Sequence, residues 1–505
     1  MESFSHDYRR QRISRGQWLV LVGALLGWMF DGMEMGVFSL VGRSALGDLL
    51  HTSDESVIGF WFGAVTAGFL VGAAAGGVLF GWLGDRIGRV RAMSLSVLTY
   101  AVFTSLCGLA DSAEQIAALR FIAALGMGGE YALGVALVME SWPNHSRVLL
   151  SGVIGAAGNA GYLVIALAGF VLTAALGDIA SWLAAAGMSS QMVDRLTGNH
   201  GWRLLMISGV APALLTFLIR QFVPESKRWQ RENERGTTSH WAARDLIGVV
   251  LGTLGPLTII YLWATEDISL STRVLGTLLA LAVALYGYLY PVIRYAARLQ
   301  AATSNDPEFL SSTLCRMFLA VGLSGVALLG SWGAMQWAPT WADKLTGGQL
   351  PAAKGWTQVC SASGAMVGCM IAALASGVLS RRATYRVICI AAFASILLMY
   401  RGNHEFGPKL LASVFIAGLC SASFYGWLPL YLPELFRTNV RATGQGFGYN
   451  FGRVLAAIGV LQTGNLMGLF GGDYAAACSV VSGVYIVGLV LIQFAPETRG
   501  QPLPD

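Results

Sequence analysis

Apolar residues run in long unbroken blocks along this chain, and polar residues gather in short stretches between them. An α-helix needs roughly 17 to 25 apolar residues to cross the hydrocarbon core of a bilayer. The pattern predicts about fourteen such helices, at 18–42, 57–80, 92–110, 115–139, 148–175, 202–222, 246–264, 274–293, 313–340, 356–379, 385–400, 409–432, 442–468 and 473–494. A transmembrane β-barrel would alternate at period two instead. The expected fold class is an all-α polytopic membrane protein.

Composition agrees. Charged residues make up 12% of the 505 and the mean hydropathy is +0.59, about half the charge of an average soluble domain. The formal net charge of +5 is an orientation signal, because about 23 of the 33 Lys and Arg fall on one side if the N-terminus is cytoplasmic. Arg9, Arg10, Arg12 and Arg15 precede the first span, Arg86, Arg89 and Arg91 follow the second, and Arg381, Arg382 and Arg386 follow the tenth. Both termini are therefore expected in the cytoplasm, in a plasma (inner) membrane, with lipid and a small molecule as partners, no nucleic acid, and a monomeric state. The first apolar run is too long for a cleavable signal peptide. Cys107, Cys315, Cys360, Cys369, Cys389, Cys420 and Cys478 have neither metal nor disulfide spacing. His6, His51, His145, His200, His240 and His404 all fall in loops or tails, which argues against a histidine relay. With no HExxH, Walker loop or nucleophile elbow, neither an enzyme nor a cofactor is expected.

Two patterns repeat. Glu140, six residues, then Arg147 recurs as Glu434, six residues, then Arg441. Gly81-Trp-Leu-Gly-Asp-Arg-Ile-Gly-Arg89 recurs in decayed form from Gly377 to Tyr385. Similar offsets predict two six-helix halves in the same orientation, residues 1–222 and 313–505, a common transporter plan. Between them, 223–312 reads as a charged linker plus an extra hydrophobic hairpin.

These motifs carry a resemblance. GWLGDRIGR resembles the loop between the second and third helices of the major facilitator superfamily. Pro-Glu-Ser-Lys-Arg-Trp at 224–229 and Pro-Glu-Thr-Arg-Gly at 496–500 resemble the ends of the two halves in its sugar-porter branch. The stretch from Gly126-Met-Gly-Gly-Glu130-Tyr131 to Arg147 is similar to the sialic-acid proton symporters, a branch with an extra central helix pair. Asp31-Gly-Met-Glu34 stands where that branch has Asp-Gly-aromatic-Asp, and aromatic-acid proton symporters share a similar first-helix pattern. The resemblance implies proton-coupled transport of an organic anion by alternating access.

Asp85, Arg86 and Arg89 sit in a Gly-rich turn. An Asp at a helix end can pair with basic residues and with a helix N-terminus of the other half, closing one state. Glu140 with Arg147, and Glu434 with Arg441, are expected to serve the same gate. The plain alternative is a basic loop that only fixes topology.

Asp31 lies roughly 20 Å along the first span, near mid-bilayer. Glu34, three residues on, shares its face. Charges there are costly and two like charges repel, so at least one acid is expected to exchange a proton; otherwise both are fixed partners of Arg120 or Arg453. Glu130, among glycines of the fourth span, is a second proton candidate or an ion-pair partner. Arg453 can grip a carboxylate with two hydrogen bonds, or can be a structural partner of Asp31, Glu34 or Glu130. Tyr449 and Asn450 are polar handles beside it. Arg120, Tyr131, Asn159, Tyr162, Gln336 and Trp337 complete the candidate binding set. The expected function is import of a small organic anion, a sugar acid such as sialic acid or an aromatic acid, driven by the proton gradient. The alternatives are a neutral-sugar symporter, a drug/proton exporter, disfavoured because 148–175 lacks proline, and a ligand sensor that transports nothing.

Overall fold

The computed structural model describes residues 14–504 except 144–145, 212–214, 216–218, 220, 266, 304–307, 348 and 351, and gives the backbone only at 55, 56, 173, 264, 302, 303, 461, 464, 465 and 468. Arg9, Arg10, Arg12, His6 and His145 thus lie outside the described residues. The described chain is helical. The first group is α1 Arg15–Leu49, α2 Glu55–Ile87, α3 Arg89–Cys107, α4 Ala113–Ser141, α5 Arg147–Ala185 and α6 Ser190–Ile207. A short helix, α7 Lys227–Glu234, precedes the long pair α8 Leu246–Ala264 and α9 Leu270–Thr303. The last group is α10 Phe309–Gly333, α11 Ala338–Leu345, α12 Ala352–Val378, α13 Arg381–Gly402, α14 Pro408–Ala422, α15 Phe424–Leu435, α16 Arg441–Leu469, α17 Tyr474–Val481 and α18 Val484–Leu491.

Local sequence sets several ends. Ser14 caps α1 by accepting from the Gln17 amide, while the Gln17 side chain accepts from Ser14 N–H. Ser112 and Ser380 cap α4 and α13 in the same way. Gly88, at φ +106°, makes the turn between α2 and α3, a backbone conformation that costs glycine little. The run 309–345 breaks after Gly333 into a turn at 335–337 and α11, so Gln336 and Trp337 do not lie on a continuous helix.

Twelve helices among the described residues are long and apolar enough to cross a membrane, so this is an integral membrane protein, and the expected fourteen is corrected to twelve. The expected segments 202–222 and 442–468 are the two outside that set. The first follows a break in helical geometry at Gly198–Gly201 and runs into residues that are only partly described. The second, on α16, carries Arg441, Gln445, Asn450 and Arg453 and is too polar to count as an apolar span. The segments 243–263 and 270–301 are among the twelve.

The first and last groups meet along two seams, α2 against α16 and α5 against α12. The α8–α9 pair packs on α2 and touches α16 from outside. Small residues permit the closest approaches, as expected where lipid supplies no hydrophobic drive between helices.

Candidate substrate cavity and gate

A cavity of about 940 Å³ lies between the two groups of helices, at the upper end of the range of small-molecule sites. Its wall includes Asp31, Arg120, Asn159, Tyr162, Gln336, Trp337, Tyr449 and Arg453 from the expected set. Sequence reasoning missed Trp28, Phe38, Phe69, Gln358 and Tyr425, which also line it. Aromatic residues in an apolar block look the same whether they face lipid, core or cavity, so the sequence held no signal for them.

Arg453 is 2% exposed, and its Nε and Nη1 have no hydrogen-bond partner among the described residues. Its guanidinium lies 5.4 Å from the Tyr449 ring centroid, and it stands within electrostatic reach of Asp31. Asp31 is 3% exposed and its Oδ1 also lacks a partner among the described residues. Tyr425 completes this end, with its hydroxyl on Ser331 Oγ at 2.9 Å. An arginine and a carboxylate thus face one cavity without closing a salt bridge on each other.

Glu34 is arranged differently. Arg120 Nη1 donates to Glu34 Oε1 at 2.5 Å, with both side chains buried. The Arg120 guanidinium also lies 4.4 Å from the Phe69 ring centroid and 5.0 Å from that of Phe38. The two like charges of the first span are therefore separated by role: Glu34 has a partner and Asp31 faces the cavity.

Besides Glu34, three expected site residues do not line the cavity. The Asn450 amide donates to Gly128 O at 2.9 Å and Gly446 O at 3.0 Å, tying α16 to α4. Tyr131 stacks flat on Tyr449, ring centroids 3.7 Å apart, and so backs the cavity wall. Glu130 is wholly buried behind α1. Asn159 and Gln336 line the cavity but have partners: Asn159 donates to Gly155 O at 3.0 Å, and Gln336 donates to Ser39 Oγ at 2.8 Å, a bond that bridges the cavity.

Among the described residues the lining includes none of the expected gate residues. They form a buried cluster at the end of the bundle that bears the basic loops. Asp85 Oδ2 accepts from the Thr443 amide at 2.8 Å and its hydroxyl at 2.6 Å, so the carboxylate of α2 caps the first turn of α16. Arg89 Nη1 reaches Asp85 Oδ1 at 2.7 Å, and its Nη2 reaches Glu140 Oε1 at 3.3 Å. Arg441 Nη1 donates to the same Glu140 oxygen at 2.9 Å. Ser226 donates to the other Glu140 oxygen. Arg147 donates to Met139 O at 3.1 Å. Arg86 stays out of the cluster, exposed, with its guanidinium 5.1 Å from the Trp82 ring centroid.

A second cluster mirrors the first. Arg381 binds Glu434 at 2.8 and 3.1 Å, and Thr498 donates to Glu434 as Ser226 does to Glu140. Glu225 accepts from the amides of Arg89 and Val90, and Glu497 accepts from those of Arg381 and Arg382. These shared partners set Arg381 against Arg89, so the counterpart of Asp85 is Gly377, and the repeat as aligned on Gly81 and Gly377 shifts by four residues. Burial pushes the Glu225 carboxyl up from its ordinary value, against the pull of its amide donors. Burial pushes Glu497 the same way, but amide donors from Arg381, Arg382 and Arg499 outweigh it and hold that carboxyl below its ordinary value.

Residues 19–249 match the family model "Sugar (and other) transporter". The chain is similar to transporters of the major facilitator superfamily. The family is one of transporters, not enzymes. The chain is 26% identical to the cis,cis-muconate transport protein of Acinetobacter baylyi over 98% of both chains. It is 28% identical to the sialic acid transporter NanX of Escherichia coli over 43% of this chain and 47% of that one. Its fold is similar to the solved proton:xylose symporter XylE bound to 6-bromo-6-deoxy-D-glucose, with a TM-score of 0.65, 17% identity, and coverage of 97% of this chain and 98% of that one.

Proposed function

We propose that the transporter imports a small organic anion together with protons. The observation that carries this reading is Arg453, buried at the cavity wall with two nitrogens unpartnered and Asp31 opposite. An entering carboxylate takes the Arg453 fork with two charge-assisted hydrogen bonds. Asp31 then loses its counter-charge, and taking a proton removes the cost of an isolated anion at mid-membrane. Loading anion and proton together leaves no unpaired charge in the cavity, which lets the carrier turn over. Residues 1–222 and 313–505 act as the two rocking units, with 223–312 between them and the basic end in the cytoplasm of the inner membrane. The carrier works as a monomer.

Trp28, Phe38, Phe69, Tyr162, Tyr425 and Tyr449 place aromatic rings in the cavity wall. Such a wall suits a planar unsaturated or aromatic carboxylate better than a polyol, and the similarity to the muconate protein supports this choice. A sugar acid is the second reading, favoured by Ser39, Asn159, Gln336 and Gln358 in the same wall and by the partial similarity to the sialic acid protein. The test is uptake into proteoliposomes of labelled benzoate, cis,cis-muconate, N-acetylneuraminate and xylose, with and without an inward proton gradient. Gradient-driven accumulation of benzoate or muconate is expected. Accumulation of xylose alone would replace this reading with a neutral-sugar symporter.

A further inference from the structure

Glu130 is the most isolated ionisable group among the described residues of the bundle. It is 0% exposed, and neither carboxylate oxygen has a hydrogen-bond partner among the described residues. It does not line the substrate cavity. The α1 backbone is drawn in over it at Gly27, where a Cβ would meet the carboxylate and force that side chain to move. The charged group facing it is Asp31 of α1, and Tyr100 of α3 is the titratable hydroxyl. Arg120, on its own helix, is taken by Glu34, and Arg453 of α16 faces Asp31. Tyr100 is 1% exposed, its hydroxyl unpartnered among the described residues.

A permanently ionised carboxylate in such a place has nothing to replace its lost hydration. A structural ion pair would need a cation, and among the described residues no arginine acts on Glu130: Arg120 is paired with Glu34, and Arg453 stands at the cavity wall opposite Asp31. A carboxylic acid that receives and returns a proton fits the site. Among the described residues, Asp31 is its only acidic neighbour that reaches the cavity.

We infer that Glu130 is a second proton-carrying site, sealed from substrate and filled through Asp31, so that about two protons accompany each anion. The inference rests on the proposed anion/proton symport. The protonated Asp31 carboxyl gives its proton to the Glu130 carboxylate: the O–H bond on Asp31 breaks and one forms on Glu130. The Asp31 carboxylate left behind takes a second proton from the open cavity. Tyr100 donates its hydroxyl hydrogen to Glu130 whenever that acid is ionised, and is a positioning residue.

The experiment measures charge and protons moved per substrate in proteoliposomes. Benzoate is a monoanion and cis,cis-muconate a dianion at neutral pH. In the unmodified protein, about two protons per anion make benzoate uptake carry net positive charge inward and leave muconate uptake electroneutral. In Glu130→Gln the ratio falls to about one, the benzoate current disappears, and accumulation on a pH gradient persists at a lower limit. Tyr100→Phe keeps the ratio but shifts the pH profile of the current. Electroneutral benzoate uptake in the unmodified protein overturns the inference without any variant having to fold. An unchanged ratio in Glu130→Gln overturns it as well. If neither probe nor N-acetylneuraminate accumulates on a proton gradient, the proposed function itself falls; a ratio of one with intact accumulation removes only the second site.

Discussion

At the scale of single residues, the two acids of the first span are expected to fail differently. Asp31→Asn should bind substrate and exchange it across the membrane, yet lose accumulation driven by a pH gradient, because the amide stands for the protonated acid. Counterflow and gradient-driven uptake in the same vesicles separate these. Glu34→Gln leaves Arg120 buried without its carboxylate, a loss of about 3–5 kcal/mol, to be read as poor recovery of folded protein or a lowered melting temperature in detergent. Arg453→Lys should weaken anion binding about tenfold or more, since a point charge cannot replace a two-pronged grip; unchanged affinity in both Arg453→Lys and Arg453→Ala would remove this residue from the site. The sequence picked out these residues because charge is so costly in an apolar helix that each one demands a reason. It could not say which acid had a partner, since that depends on a helix about 86 positions away in the chain.

Among elements, the decisive contact joins α2 to the first turn of α16. Asp85 supplies a full negative charge to two free amides and a hydroxyl there. Asp85→Asn keeps a hydrogen-bonding side chain but loses the charge, worth about 1–2 kcal/mol at a buried helix N-terminus, so the closed state should become roughly five- to thirtyfold less favoured. Substrate affinity should survive while turnover slows, measured as counterflow rate against equilibrium binding. Full wild-type rates would count against a gate. The repeated motifs pointed from the sequence to the residues of this buried cluster, but Gly377 opposite Asp85 leaves the second copy with no matching carboxylate, so the cross-seam cap is one-sided. Helix lengths were also legible. Span number was not, because α16 hides its polar face in the molecular interior and fails a test of apolar composition.

For the whole molecule, the structure combines a closed basic end with a cavity whose lining reaches Arg43, Gly59, His200, Thr340 and Lys354, near the connections at the opposite end. A cysteine placed at Ser39 in the cavity wall should react with a membrane-impermeant thiol reagent applied from that end. Substrate should protect it, and Asp85→Asn should slow the labelling as the population shifts to the other state. Labelling unaffected by either change would argue against two exchanging states.

The sequence by itself determined that this chain lives in a membrane as helices, that it repeats, and which few charges are buried in it, because hydropathy and the cost of burying charge act locally along the chain. Only the tertiary structure decided that Arg453 and Asp31 share a cavity, that Glu34 belongs to Arg120, that Glu130 is sealed behind Gly27, and that Asn450 ties helices together. Each of these is a pairing between residues far apart in sequence, and the choice of partner is made by how whole helices pack, not by any spacing along one of them.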